Sequence, residues 1–154
     1  MYAFYIDKKE VKDFMNCLLK SDSFDEFEIF SLNINTLVSI SIEGAINRDF
    51  LEEETDRYYC TWQELKPIVY NIIKGKKAPS QMKIVMSMPR KALQQLHSNC
   101  KTAFLNIIYE NDIVTFTTGS SQINFSLDKT HENAWNKYVE DFFKGLGITT
   151  NKIV

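Results

Sequence analysis

The residues that most often betray a chemistry are scarce in this sequence. Histidine occurs twice, at His97 and His131, and cysteine three times, at Cys17, Cys60 and Cys100. No C-x-x-C pair is present and neither histidine belongs to a set of ligands that would suggest a metal, so neither a zinc site nor a dithiol is legible. Both histidines fall at the edges of expected helices, where surface or capping roles are expected. An odd number of dispersed thiols fits free, mostly buried cysteines and not a disulfide framework. No window approaches the eighteen or so apolar residues that span a bilayer, so no membrane partner is expected. Residues 1–10 mix acids with bases and lack an apolar run, so no secretory signal is expected and the chain is read as cytoplasmic. Net charge is also lacking: 18 Lys and Arg stand against 20 Asp and Glu, a net of −2. That balance excludes a protein that coats nucleic acid or anionic lipid through bulk charge.

Catalytic signatures are missing as well. No serine or cysteine sits in a nucleophile motif, no triad assembles, and no cofactor or metal is expected. Glu52, Glu53, Glu54 and Asp56 are closely spaced acids on a loop, which solvation explains better than ion binding. Lys74-Gly75-Lys76-Lys77 superficially resembles a phosphate-binding loop but lacks its glycine spacing and follows a helix, so it reads as a cationic helix end.

What is present is core material. With 44% of 154 residues hydrophobic and 25% charged, the chain has enough to bury for one domain over 1–154. Residues 2–6 read as a strand, and Asp7 with Glu10 forms a capping-box start for a helix whose apolar face is Val11, Phe14, Met15, Leu18 and Leu19. Phe27 to Ile42 alternates after a phase break near Ser31, and its length calls for a bend or turn near 33–36. A polar loop follows, with a short strand expected at 57–60. Thr61 with Glu64 opens a helix over 61–74 despite Pro67, and Gly75 is expected as its left-handed cap. A strand over 81–88 leads at once into a short helix from Pro89. Three strands are expected next, at 103–109, 113–118 and 122–127, joined by turns at 110–112 and 119–121. A last helix over 131–145 carries Trp135, Tyr138, Val139, Phe142, Phe143 and Leu146 on one face.

The order of elements repeats. Residues 1–60 and 81–127 both read as a strand, a helix and then further strands. The expected fold is therefore α+β: a duplicated strand-helix-three-strand unit with an inserted helix at 61–74 and a C-terminal helix at 131–145.

Two resemblances follow from particular residues. Phe14-Met15 with Leu18-Leu19, Phe24-Asp25-x-Phe27, Lys74-Gly75-Lys76 followed by Pro79, Leu105-Asn106-Ile107 with Tyr109, Thr117-Thr118-Gly119-x-Ser121, and Leu127-Asp128-Lys129 with Trp135 are similar to an uncharacterised bacterial family, the domain-of-unknown-function family 5721. That resemblance implies no activity. The doubled unit, above all 83–127, also resembles one domain of a DNA sliding clamp. The clamp resemblance implies that the helices opening the two units face DNA, and that a one-domain chain would oligomerise to encircle a duplex.

The near-zero net charge hides a segregation. Residues 1–56 hold five basic and thirteen acidic residues, residues 57–101 nine and one, and residues 102–154 four and six. Either the opposite segments pair or face solvent, or the basic middle forms an anion-binding face. Helix-face cations belong to the second outcome: Lys8, Lys9, Lys12 and Lys20 on the first helix, and Arg90 and Lys91 on the short one, with Lys101 just beyond. Such cations contact phosphates without reading sequence. No platform of exposed aromatics is expected beside them. The favoured function is thus non-catalytic binding of nucleic acid, with DNA or another protein as partner and a homo-oligomer as the assembly. One alternative is an anion or small-ligand binder, or enzyme, in which Lys74, Lys76 and Lys77 meet the hydroxyls and amides of a turn formed by Thr117, Thr118, Gly119, Ser120 and Ser121. Another is a protein-interaction or regulatory module that recruits a partner along a sheet edge.

Overall fold

The computed structural model describes residues 1–75 and 77–153. In chain order the elements are β1 (Ala3–Ile6), α1 (Lys8–Lys20), β2 (Glu28–Asn35), β3 (Ser39–Glu43), α2 (Trp62–Ile73), β4 (Gln81–Ser87), α3 (Arg90–Leu96), β5 (Cys100–Glu110), β6 (Ile113–Gln122), α4 (Thr130–Gly145) and β7 (Asn151–Lys152). All strands join one sheet in the order β3-β2-β4-β5-β6-β1-β7, and every pairing is antiparallel. The protein is α+β.

Period-two alternation decides which face is covered. Phe4, Ile6, Leu32, Ile34, Met82, Ile84, Met86, Leu105, Ile107, Val114 and Phe116 are buried on one face. Helices lay Phe14, Leu18, Trp62, Val69, Leu93, Trp135, Val139 and Phe143 against them. Phe116 lies between Phe4 and Phe143, with ring centroids 4.8 and 4.7 Å away. Both buried indoles are satisfied: Trp62 Nε1 donates to the Leu18 carbonyl at 2.7 Å and Trp135 Nε1 to the Phe104 carbonyl at 3.0 Å. The opposite face carries polar residues in register. There Asn33 donates to Ser41 at 2.9 Å and Asn106 to Thr117 at 3.1 Å.

Several boundaries follow the sequence, and others do not. The phase break at Ser31 is a bulge, since pairing with β4 shifts between Ile29 and Ser31. The long alternating run divides at Thr36–Val38, slightly later than expected, where the Thr36 N–H donates to the Val38 carbonyl at 2.9 Å. The Thr61–Glu64 capping box forms, whereas Asp7 starts α1 without a side-chain cap bond. Gly75 takes φ +144°, not a left-handed helical value, and Lys74 is the cap of α2. Residues 57–60 make only an isolated bridge, Ala45 with Tyr59.

The largest correction concerns the three-strand run after α3. The expected turn at 119–121 does not form, because β6 continues through it and pairs Thr118, Gly119, Ser120 and Ser121 with β5. Gly119 serves packing and not a turn: a Cβ there would lie 2.2 Å from the Phe104 ring. The real reversal is the two-residue Asn111–Asp112 hairpin, both residues at positive φ, 55° and 60°, the geometry asparagine and aspartate tolerate best among residues with a Cβ. Residues 123–127 are then no strand. Each expected unit therefore has two strands after its helix, not three. Their pairing also differs, because β4 neighbours β5 while β1 and β2 are separated by β4, β5 and β6.

Candidate anion-binding groove

α3 is short and shallow, and this decides what it displays. Pro89 holds an extended backbone at φ −52°, ψ 145°, and its carbonyl accepts the Ala92 and Leu93 amides at 2.9 and 3.1 Å. The strand-to-helix change is thereby fixed at one residue. Leu93 alone in α3 is fully buried, so Arg90, Lys91, Gln94 and Gln95 are left on the outer side. Gln94 Nε2 donates to the Cys100 carbonyl at 3.1 Å and ties the helix to β5.

Opposite α3 stands the segment 44–60, folded back on β2. Gly44 is required there, since a Cβ would fall 1.6 Å from the Ile29 carbonyl oxygen. The Gly44 amide donates to Phe30, the Cys60 amide to Gly44, and the Ile46 amide to Tyr58, all within 2.9 Å. Arg48 clasps the loop, donating to the Thr55 and Arg57 carbonyls at 2.7 Å each. Its guanidinium lies over the Tyr58 ring, 5.4 Å from the centroid, a cation–π contact that steadies an otherwise exposed side chain. Tyr59 packs on Phe30 at 4.6 Å.

Between α3 and this loop runs a groove of about 630 Å³, lined by Glu28, Asp56, Arg57, Tyr58, Pro89, Arg90, Lys91, Gln94 and Gln95. A smaller recess of about 150 Å³ shares Glu28, Tyr58 and Arg90 with it and adds Phe30, Tyr59, Ser87, Met88, Leu93, Lys101 and Thr102. Four cations and two carboxylates thus line one continuous depression. Arg57 is bound to Glu64 at 2.7 Å. Arg90, Lys91 and Lys101 have no carboxylate partner among the described residues. Burial pushes the Glu28 carboxyl above its usual range, and the nearby Arg57 charge offsets this in part. Glu64 moves the other way, to about 2, chiefly through its hydrogen bond from Arg57 and then through the Thr61 amide.

The cations of the basic middle of the chain meet different surroundings. Lys66 pairs with Asp25 of the acidic segment at 2.5 Å, and Arg57 with Glu64, while Arg90, Lys91 and Lys101 collect at the groove. The α1 lysines do not join them. α4 touches both helices: Phe143 packs near Phe14 of α1, and Thr130 bonds His97 at the end of α3 at 2.8 Å. No hydrogen bond or ion pair among the described residues links α1 to α3. Lys20 instead lines a depression between α1 and α2 with Lys74.

The alternative ligand site is also not assembled. Thr117 bonds Asn106 on the uncovered sheet face, and Thr118 bonds Asn136 of α4 at 2.6 Å on the covered one. Ser120 Oγ is buried, and Ser121 bonds Thr102. Lys74 and Lys77 are exposed beyond α2, Lys76 lies outside the described residues, and no cavity described here joins the two segments. The histidines meet unexpectedly, with rings 6.3 Å apart. His131 is buried beside Gln122, while His97 accepts the Asn99 amide.

A family model described as "Family of unknown function (DUF5721)" matches residues 17–151. The chain belongs to this family. Every groove residue of this DUF5721 member lies within the matched span, and Lys8, Lys9 and Lys12 lie outside it. No curated protein and no solved structure matches the chain. Of the residues lining the groove and recess, the sequence singles out Arg90, Lys91 and Lys101 but not Tyr58, Tyr59, Phe30 or Glu28. Tyr58 is 67% exposed, so an aromatic does stand beside the cations. The signal was the Arg57-Tyr58-Tyr59 run directly after the acidic loop.

Proposed function

We propose that this protein binds nucleic acid through its phosphate backbone, using the groove between α3 and the 56–59 segment. One observation carries the reading: Arg57, Arg90 and Lys91 line one open groove, Lys101 lines the recess beside it, and three of these four cations lack a carboxylate partner among the described residues. Guanidinium and ammonium groups at such an edge hold phosphates without reading sequence, and each contact releases counterions. The test is fluorescence anisotropy of a labelled oligonucleotide with the intact chain at 50 and 200 mM salt. Three phosphate contacts, from Arg90, Lys91 and Lys101, predict a loss of about 20- to 40-fold in affinity between those conditions. Affinity that ignores salt, or that survives R90A/K91A unchanged, would sink the proposal. Encircling a duplex, as the clamp resemblance implies, further requires a ring of copies, which light scattering reads directly.

A second reading, a protein-interaction module, has its own observation. Phe125 and Leu127 are 87% and 88% exposed on the loop before α4, where apolar side chains of that size fit an interaction surface. Phe125→Ser would abolish capture of such a partner and leave oligonucleotide binding intact.

A further inference from the structure

The groove is more than a strip of positive charge, because the recess beside it has a different chemistry. Phe30, Tyr59, Met88 and Leu93 make its walls largely apolar, and Tyr58 and Arg90 stand where it opens into the groove. Its volume of about 150 Å³ is far below the roughly 300–1,000 Å³ of a site for a drug-sized ligand. It equals that of an apolar protein cavity of about 150 Å³ known to take one benzene molecule. One six-membered ring therefore fits inside it, and the second ring of a fused bicyclic system would have to lie out in the adjoining groove.

The polar lining of the recess is Glu28, Ser87, Thr102, Arg90 and Lys101, and Glu28 is the carboxylate among them. Glu28 lines both the recess and the groove, and its side chain has no hydrogen-bond or ion-pair partner among the described residues. An ionised carboxylate only accepts hydrogen bonds, so it selects a ring that carries donors. Its desolvation in this setting makes an unfilled acceptor costly and a filled one valuable. A bare phosphate would be repelled from Glu28 and drawn to the cations, of which Arg90 and Lys101 border the recess and Lys91 the groove.

We propose that the strand bound here is single-stranded and inserts one pyrimidine base into the recess, with Glu28 accepting from its ring-borne donors while Arg90, Lys91 and Lys101 hold the flanking phosphates. Tyr58, steadied by Arg48, gives the base an aromatic neighbour at the mouth. Cytosine fits best, because its exocyclic amino group is the donor a carboxylate reads. A duplex keeps its bases stacked and cannot fill the recess without extruding one. This inference rests on the backbone-binding reading and adds to it a strand type and a base.

The experiment measures anisotropy with labelled oligo(dC), oligo(dT), oligo(dA), an abasic strand and a duplex, all of equal length. Each is titrated against the full chain and its E28L, Y58A and R90A/K91A variants. The expected result is oligo(dC) tightest, with the abasic strand and the duplex weaker by a factor of about 5 to 150, the range a stacked base contributes. E28L should bring oligo(dC) down to the level of oligo(dT), and Y58A, an exposed position whose loss leaves the fold intact, should narrow the gap to the abasic strand. If all five probes bind alike and R90A/K91A weakens them equally, the pyrimidine recess is overturned while backbone binding stands. If R90A/K91A changes nothing, both fall.

Discussion

α1 and α3 both follow a strand within two residues and both carry cations, yet they do different work. α1 runs thirteen residues and buries Phe14 and Leu18, with Phe14 at 5.2 Å from Phe116 and 5.9 Å from Phe24. Its lysines are interleaved with Glu10 and Asp13 and share no cavity with the groove. α3 runs seven residues and buries Leu93, but its cations face a lined depression with three unpaired by any carboxylate among the described residues, counting Lys101. The difference teaches that a cation on a helix face acquires meaning from what stands across from it. α1 is held by the core and shows its lysines to water. α3 shows its cations to a wall.

The comparison breaks most visibly in stability. F14A should cost about 3–5 kcal/mol through loss of buried aromatic volume and the cavity left behind, read as a fall in denaturant midpoint at unchanged slope. R90A should stay within about 0.5 kcal/mol of the parent, as exposed substitutions without buried partners do. Equal losses would mean that α3 is as much a core element as α1. Binding should reverse the order. R90A/K91A should weaken an oligonucleotide by roughly tenfold or more, since even one charge-assisted contact is worth about 1.5–3 kcal/mol, and should flatten the salt slope by about 1.4 for a single strand. K8A/K9A/K12A should change both quantities little. If that triple variant binds as poorly as R90A/K91A, the α1 face belongs to the interface after all.

The sequence made the α+β class legible because hydrophobic period is a local property. The stripes of α1, α2 and α4 and the alternation of β2, β4 and β5 are readable from neighbours a few positions apart. Gly119 was misread because its reason is not local: it makes room for Phe104, its cross-strand partner, and glycine beside serine looks the same in a turn. The candidate site was half legible for a related reason. Arg90, Lys91 and Lys101 stood out as a run of one sign, whereas Glu28 and Tyr58 reach them only through the bulge at β2 and the Arg48 clasp. Segment charge, likewise, said that opposite signs exist but not that Lys66 would spend itself on Asp25 while Arg90 would not.

The finest division between structural and displayed charge runs through Arg57, which lines the groove yet is paired to Glu64. Glu64 has its carboxyl held at about 2, below its ordinary value, so the stabilisation it gives is complete above about pH 4.5 and is lost as pH falls through about 2. E64Q keeps an acceptor for the Thr61 amide, so the capping box survives and only the ion pair is removed. Because Glu64 is nearly half exposed, at 46%, solvent screening limits the loss to about 1 kcal/mol. The difference between parent and E64Q should hold steady near neutral pH and close between about pH 4.5 and 2. The same substitution frees the Arg57 guanidinium for a ligand, so oligonucleotide affinity should rise by about twofold to fivefold at low salt, the size of an exposed ion-pair contribution. A rise in binding with a fall in stability would show that Glu64 competes for a groove cation, and a fall in both would make Arg57 a structural residue alone.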